Sequence, residues 1–195
     1  MADATAEQLR LLLRHPDAFT EDETAAAELL LELAQGVIED ETGQALESFT
    51  DTVVLDGPTE DDHEYQAGTG SRKLLLPRWP VTAVISVTLT EDDEVLAHGN
   101  SRDYTWSAAG ILTRRGAFWP SHDRAVEVVY TAGHTPVPAG VRRIQLRLAA
   151  AGWANPEFLA AETLGDHSRS FSAEGLGMEL TDADRRTLGS YRART

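Results

Sequence analysis

The chain has 195 residues, 42% of them hydrophobic, a formal net charge of −15 and no cysteine. That length fits one domain, or one domain with an appended arm, and the lack of cysteine excludes disulfides, thiolate metal sites and cysteine nucleophiles. The start, Met1-Ala2-Asp3-Ala4, lacks the basic and apolar regions of a signal peptide, and the lack of cysteine fits a cytoplasmic origin. No apolar run approaches the roughly 20 residues that span a bilayer, and no membrane partner is expected. The charge is uneven. Between His15 and Ser71 stand 16 Asp and Glu and no Lys or Arg, whereas from Val141 onward eight Arg face seven acids. An acidic stretch without a basic footprint excludes tight DNA binding through phosphate contacts and counterion release. It is either a solubilising surface or one that meets a polyanion without holding it.

In chain order, residues 6–14 form a short helix stopped by Pro16. Thr20-Glu21-Asp22-Glu23 is a capping box whose acids also suit the positive end of a helix dipole. It opens a long amphipathic helix to Gly43, with Ala26, Leu30, Leu33 and Val37 as the expected buried stripe. Leu29, Ala34 and Ile38 widen that stripe, and Glu28, Glu32 and Glu39 lie off it. Strands are predicted at 52–55, 72–76, 82–89, 102–107, 111–114 and 125–131. The third alternates, with Ala83, Ile85, Val87 and Leu89 on one face and Val84 as the exception. Glu91-Asp92-Asp93 is a turn, and Ala108-Ala109-Gly110 closes a hairpin. Short strands without intervening helices predict a small antiparallel sheet folded on itself.

Helix returns after Pro138, with Val141, Ile144, Leu148 and Ala151 as its stripe and Arg142, Arg143 and Arg147 outside it; Gly152 breaks the pattern. Pro156 is expected to start a short helix through Thr163, and 165–177 reads as an extended, mobile segment. Thr181 caps a last helix too short to be stable alone. The fold class is α+β within a single domain, residues 1–195. Residues 1–48 make its helical N-terminal region, 49–135 a β module, 136–164 a second helical region and 165–195 a C-terminal arm.

Little in the sequence points to catalysis. No two of the six histidines lie four apart on a helix, so the common two-histidine metal pattern is missing. Asp61-Asp62-His63-Glu64 is the densest set of ligand types and reads first as an acidic loop. Gly165-Asp166-His167-Ser168 holds the residue types of a hydrolase triad, but neighbours in one extended segment cannot face each other across a pocket. Gly68-Thr69-Gly70-Ser71 lacks the lysine and spacing of a phosphate loop. The tryptophans at 79, 106, 119 and 153 lack the interleaved bases of a nucleic-acid stacking platform and read as core or interface aromatics. The expectation is a protein that is not an enzyme, with no metal and no cofactor.

An ordered set of local signatures goes further. Leu76-Pro77-Arg78-Trp79-Pro80-Val81 leads into the alternating strand. Tyr104, Gly110-Ile111-Leu112 and Val128-Val129-Tyr130-Thr131-Ala132-Gly133 follow, and Val137-Pro138 precedes the apolar helix. Near the end stand Gly165-Asp166-His167-Ser168 and Leu180-Thr181-Asp182-Ala183-Asp184, with Tyr191-Arg192 closing. This succession, over roughly residues 20–192, resembles the head–tail connector (adaptor) proteins of long-tailed phages and gene transfer particles.

The resemblance implies a structural virion protein of the neck. Such proteins form a closed ring, usually of about twelve copies, beneath the portal. They extend the channel through which DNA passes without specific binding, and they offer a surface to the next neck or tail protein. It further implies a C-terminal arm that docks on the portal, here Asp166, His167, Ser168, Leu180, Arg185, Arg186, Leu188, Tyr191 and Arg192. Arg142, Arg143 and Arg147 are expected to pair with acids of the long helix, among them Glu28, Glu32 and Glu39, within a subunit or across the ring. The alternatives are another neck or tail-completion protein, a small metal-dependent hydrolase using Asp61–Glu64, and an acidic DNA mimic.

Overall fold

The computed structural model describes residues 4–58, 71–155, 161–164, 167–170 and 178–193, the two four-residue pieces by their backbone. The chain forms two compact units, one from Met1–Leu46 and Thr135–Arg192, the other centred on Glu47–His134. Helices and antiparallel strands both contribute, as the α+β class requires.

The first unit is helical. Helix α1 (Ala6–Leu13) starts at a capping box between Thr5 and Gln8 and ends at Arg14 in a left-handed conformation. Helix α2 (Glu21–Thr42) starts at the expected box: the Glu23 N–H donates to the Thr20 hydroxyl, and the Thr20 N–H donates to the Glu23 carboxylate at 2.8 Å. Gly43 closes it at φ 68°. The buried stripe of α2 differs from the expected one. Ala27, Leu31, Ala34, Ile38 and Thr42 are buried, while Leu29 and Leu33 are 55% and 51% exposed. The runs Ala25-Ala26-Ala27 and Leu29-Leu30-Leu31 place apolar side chains at every 100° step around the helix. Periodicity therefore does not select a face, and the packing partners do.

The chief partner is α3 (Ala139–Ala154), which buries Val141, Ile144 and Leu148 as expected. The Gln145 side-chain amide donates to the Leu31 carbonyl at 3.2 Å inside this contact. Gly152 does not break α3. A Cβ there would lie 2.8 Å from the Leu30 Cδ2, so glycine permits the close approach of the two helices. Helix α4 (Asp182–Leu188), capped by Thr181 through a box with Asp184, runs into a 3-10 turn at Gly189–Tyr191. Leu188 is fully buried and belongs to the same core as Leu9, Leu31, Ile38 and Leu148.

The second unit is built from β1 (Phe49–Leu55), β2 (Lys73–Leu75), β3 (Val81–Leu89), β4 (Glu94–Val95), β5 (Tyr104–Trp106), β6 (Ile111–Arg114) and β7 (Val126–Ala132). They make two antiparallel sheets, ordered β1-β7-β3-β4 and β2-β6-β5. The β5–β6 hairpin closes at Gly110, whose N–H donates to the Ser107 carbonyl. Both sheets feed one core: Leu74, Tyr104 and Leu112 from the smaller, Val81, Val87, Val126, Val128, Tyr130 and Ala132 from the larger. Strand β7 alternates strictly, with Val126, Val128, Tyr130 and Ala132 inward.

Strand β3 does not follow the simple alternation. Opposite those four residues stand Leu89, Val87, Val84 and Val81, because register shifts between Val81 and Ala83 and between Val84 and Ser86 each insert a residue. Val84 therefore packs on the core, and Ile85 is 62% exposed. A bulge moves every later side chain to the other face, which period-two reading cannot detect.

Beyond α3, Ala161–Leu164 (β8) pairs antiparallel with His167–Ser170 (β9). Over residues 161–163 a strand stands where the end of a helix was expected, the start of that helix, 156–160, lying outside the described residues; the strand at His167–Ser170 is extended backbone, as expected of that segment.

Candidate assembly surfaces

Three of the signatures separated in the sequence, those at residues 76–81, 110–112 and 128–133, meet at one corner of the β unit. The Leu76 N–H donates to the Gly110 carbonyl at 2.8 Å, the Val81 N–H to Ala108 at 2.9 Å, and the Gly133 N–H to Pro80 at 2.9 Å. Gly133 takes φ 113°, and a Cβ would lie 2.2 Å from the Glu47 carbonyl oxygen, so no other residue fits this turn. Arg78 is only 8% exposed. Its guanidinium donates to the Glu47 carbonyl at 3.0 Å and lies over the Phe49 ring, 3.5 Å from the centroid. Burial pushes the Tyr130 phenol above its ordinary pKa, with Arg78 acting in the opposite direction. Burial also lowers the His134 imidazole below its usual value by disfavouring the charged ring. These contacts hold the corner together. Among the tryptophans, Trp119 is core and donates to the Arg72 carbonyl, and Trp153 stacks on Phe19.

The terminal helix, expected to leave its subunit, packs on α2 and α3 instead. Arg147 donates to the Asp184 carboxylate at 2.6 Å, where the Asp184 side chain is 9% exposed. Burial works to raise the Asp184 pKa, but hydrogen bonds from Thr181 and the Arg147 charge outweigh it, and the carboxyl ends below its ordinary value. Glu41 near the end of α2 receives Arg185 at 2.7 Å and also pairs with Arg192. The hydrogen bond from Arg192, then the charges of both arginines, holds the Glu41 pKa below the usual carboxylate range. The Gln44 amide donates to the Tyr191 carbonyl at 2.7 Å. Thus Leu188, Arg185, Arg192 and Tyr191 fasten α4 to its own subunit, and Arg147 serves α4, not α2. Sequence reasoning passes over Glu41, although two bases seven residues apart in a terminal segment are a usable sign of a shared acidic partner.

Arg142 and Arg143 make no ion pair among the described residues, nor do Glu28, Glu32 and Glu39, apart from a hydrogen bond from Gln35 to Glu39. The expected pairing of these groups is therefore not made within the subunit. Arg142, Arg143 and Arg147 instead rim an apolar groove of about 720 Å³ floored by Ile144, Leu146 and Ala150. Arg186 donates to the Asp182 carbonyl, and Leu180 packs at the edge of the helical core.

No cluster of three or more His, Asp or Glu placed to hold a metal ion occurs among the described residues. Asp61, Asp62, His63 and Glu64 lie outside the described residues, as does Asp166, while His167 and Ser168 belong to β9 by backbone alone. No helix among the described residues is long and apolar enough to cross a membrane.

No known family profile matches the sequence, and no curated protein matches it. Among solved structures, the chain is similar to one in the neck of an empty gene transfer agent (GTA) particle computed with C6 symmetry. The TM-score is 0.57 at 18% identity, over 97% of this chain and 89% of that one. A chain from the virion of a native GTA particle gives 0.58 at 19% identity, over 97% and 89%. A chain from the neck of a native GTA particle computed with C12 symmetry gives 0.55 at 19% identity, over 100% and 94%. At these identities the likeness is one of fold, over nearly the full length of both chains. The protein thus has the fold of a GTA neck component, in keeping with the head–tail connector resemblance read from its sequence.

Proposed function

We propose that the chain is a structural, non-enzymatic subunit of a particle neck: one copy in a closed ring beneath the portal, extending the DNA channel and presenting the surface to which the tail side attaches. The observation that carries this reading is the near full-length fold likeness to GTA neck chains. Charge supports it. A lumen lined with carboxylates repels phosphate and lets DNA slide, and the stretch from His15 to Ser71 has 16 acids and no Lys or Arg.

In this reading DNA passes without specific binding, and the partners are further copies of the chain, the portal and a downstream neck or tail protein. The contact with the portal is assigned to the C-terminal arm: Asp166, His167 and Ser168, together with Arg185, Arg186 and Arg192, which stay exposed while Leu188 anchors the last helix to its own subunit. A neighbouring neck or tail-completion protein would share the fold and would be placed on the tail side of the ring. Imaging of intact particles tests the proposal. Density for this fold directly beneath the portal is the expected result; its location further down the tail, or its absence from particles, overturns the connector assignment.

A further inference from the structure

Helix α2 has two apolar faces. One packs into the helical core; the other, carrying Leu29 and Leu33, is bare and is flanked by Glu28 and Glu32, both exposed. A surface helix ordinarily has a single apolar stripe. On α3 the outward side forms the 720 Å³ groove, apolar in its floor and rimmed by Arg142, Arg143 and Arg147. Leu12, 52% exposed, extends its apolar wall. Because α2 and α3 pack against each other through Leu31 and Gln145, their outward faces point away from each other. The helical unit thus carries an apolar ridge with acids on one side and an apolar groove with bases on another.

We propose that these two surfaces are complementary halves of one contact between copies: the Leu29–Leu33 ridge of one subunit seats in the arginine-rimmed groove of the next. Glu28 and Glu32 then meet Arg142 and Arg143, which make no ion pair among the described residues of the single subunit. Such a contact is heterologous, head to tail, and a heterologous contact closes into a ring when its rotation divides the circle. The apolar portion supplies burial, and the charges fix register and exclude the reverse orientation. This inference rests on the ring reading and gives it an address.

The chain has no cysteine, which makes the test direct. Leu33→Cys and Leu12→Cys proteins are prepared separately, then treated with a short bis-maleimide alone and as a mixture, at concentrations where the wild type self-associates. The inference expects a cross-linked dimer in the mixture and none in either protein alone. Cross-linking within a single variant signifies a two-fold contact and overturns the proposal. Charge reversal gives a second readout. Glu28→Arg with Glu32→Arg, or Arg142→Glu with Arg143→Glu, should each weaken association at least tenfold, and mixing the two reversed proteins should restore it. These side chains make no ion pair among the described residues, so unchanged circular dichroism separates loss of contact from loss of fold. Rings that form without the mixed cross-link and tolerate both reversals overturn this interface and leave the connector reading standing. Failure to form rings even in particles overturns both.

Discussion

Arg147 of α3 holds the carboxylate of Asp184 at 2.6 Å, and through it the first turn of α4. Asp184 already caps that turn, accepting from the Thr181 N–H at 3.0 Å and from the Thr181 hydroxyl. One carboxylate therefore serves both as the helix cap and as the pin that fastens the helix to the body. Since its folded-state pKa is below the ordinary value, its stabilisation is fully present above the usual Asp range near about 4. It is lost as pH falls through the lowered folded-state value. Asp184→Asn should reduce stability at pH 7 and flatten the acid limb of the stability profile. A double-mutant cycle with Arg147→Gln should give a coupling on the order of 1 kcal/mol. An unchanged acid limb in Asp184→Asn would refute the pin.

Leu188 is the apolar counterpart of that pin. It is fully buried in the helical core, so Leu188→Ala should cost roughly 2–5 kcal/mol in urea denaturation. Truncation after Gly177 should be worse, since Met178 and Leu180, which pack at the edge of the same core, leave with it. The truncated protein should lose helical ellipticity or become insoluble. A well-folded truncation with an unchanged denaturation midpoint would mean that α4 is a detachable arm after all.

The bulged strand β3 gives a paired test on adjacent residues. Val84 faces Tyr130 and packs on the core, while Ile85 points outward at 62% exposure. Val84→Ala should cost about 1–2 kcal/mol and Ile85→Ala about 0.5 kcal/mol or less. The reverse ranking in thermal or urea melts would restore the unbroken alternation.

That pair also marks how far the sequence could be read. Residues whose identity is tied to backbone conformation were legible: Thr20 with Glu23, Gly43, Thr181 with Asp184, and Gly110 all stand where local chemistry demands. So was β7, where strict alternation survives because the strand is paired on both sides. What failed depends on partners. The buried face of α2 is chosen by α3, Ile85 is displaced by bulges, and α4 is held by Arg147 and Glu41 from distant regions of the chain. A helix of seven residues has too few positions to reveal its docking surface by period. For the candidate surfaces, the arginines of α3 were visible as bases off an apolar stripe. Their common groove was not, because its walls come from α1, α3 and the start of α4.

Salt is expected to act on assembly in an uncommon direction. Identical subunits of net charge −15 repel one another, and the repulsion reaches as far as the Debye length. That length shortens from about 30 Å at 0.01 M salt to about 8 Å at 0.15 M. Contact pairs such as those proposed between Glu28 or Glu32 and Arg142 or Arg143 operate at closer range and are screened less, and apolar burial is not weakened by screening. Raising salt from low to physiological strength should therefore promote self-association of the isolated chain, where a simple ion-pair contact would be weakened. Sedimentation velocity across a salt series should show monomer at the lowest salt and larger species appearing as salt rises. Addition of the portal, which can template the ring, should remove most of that dependence. A ring already stable at low salt without portal would show that net charge does not oppose assembly and would overturn this account.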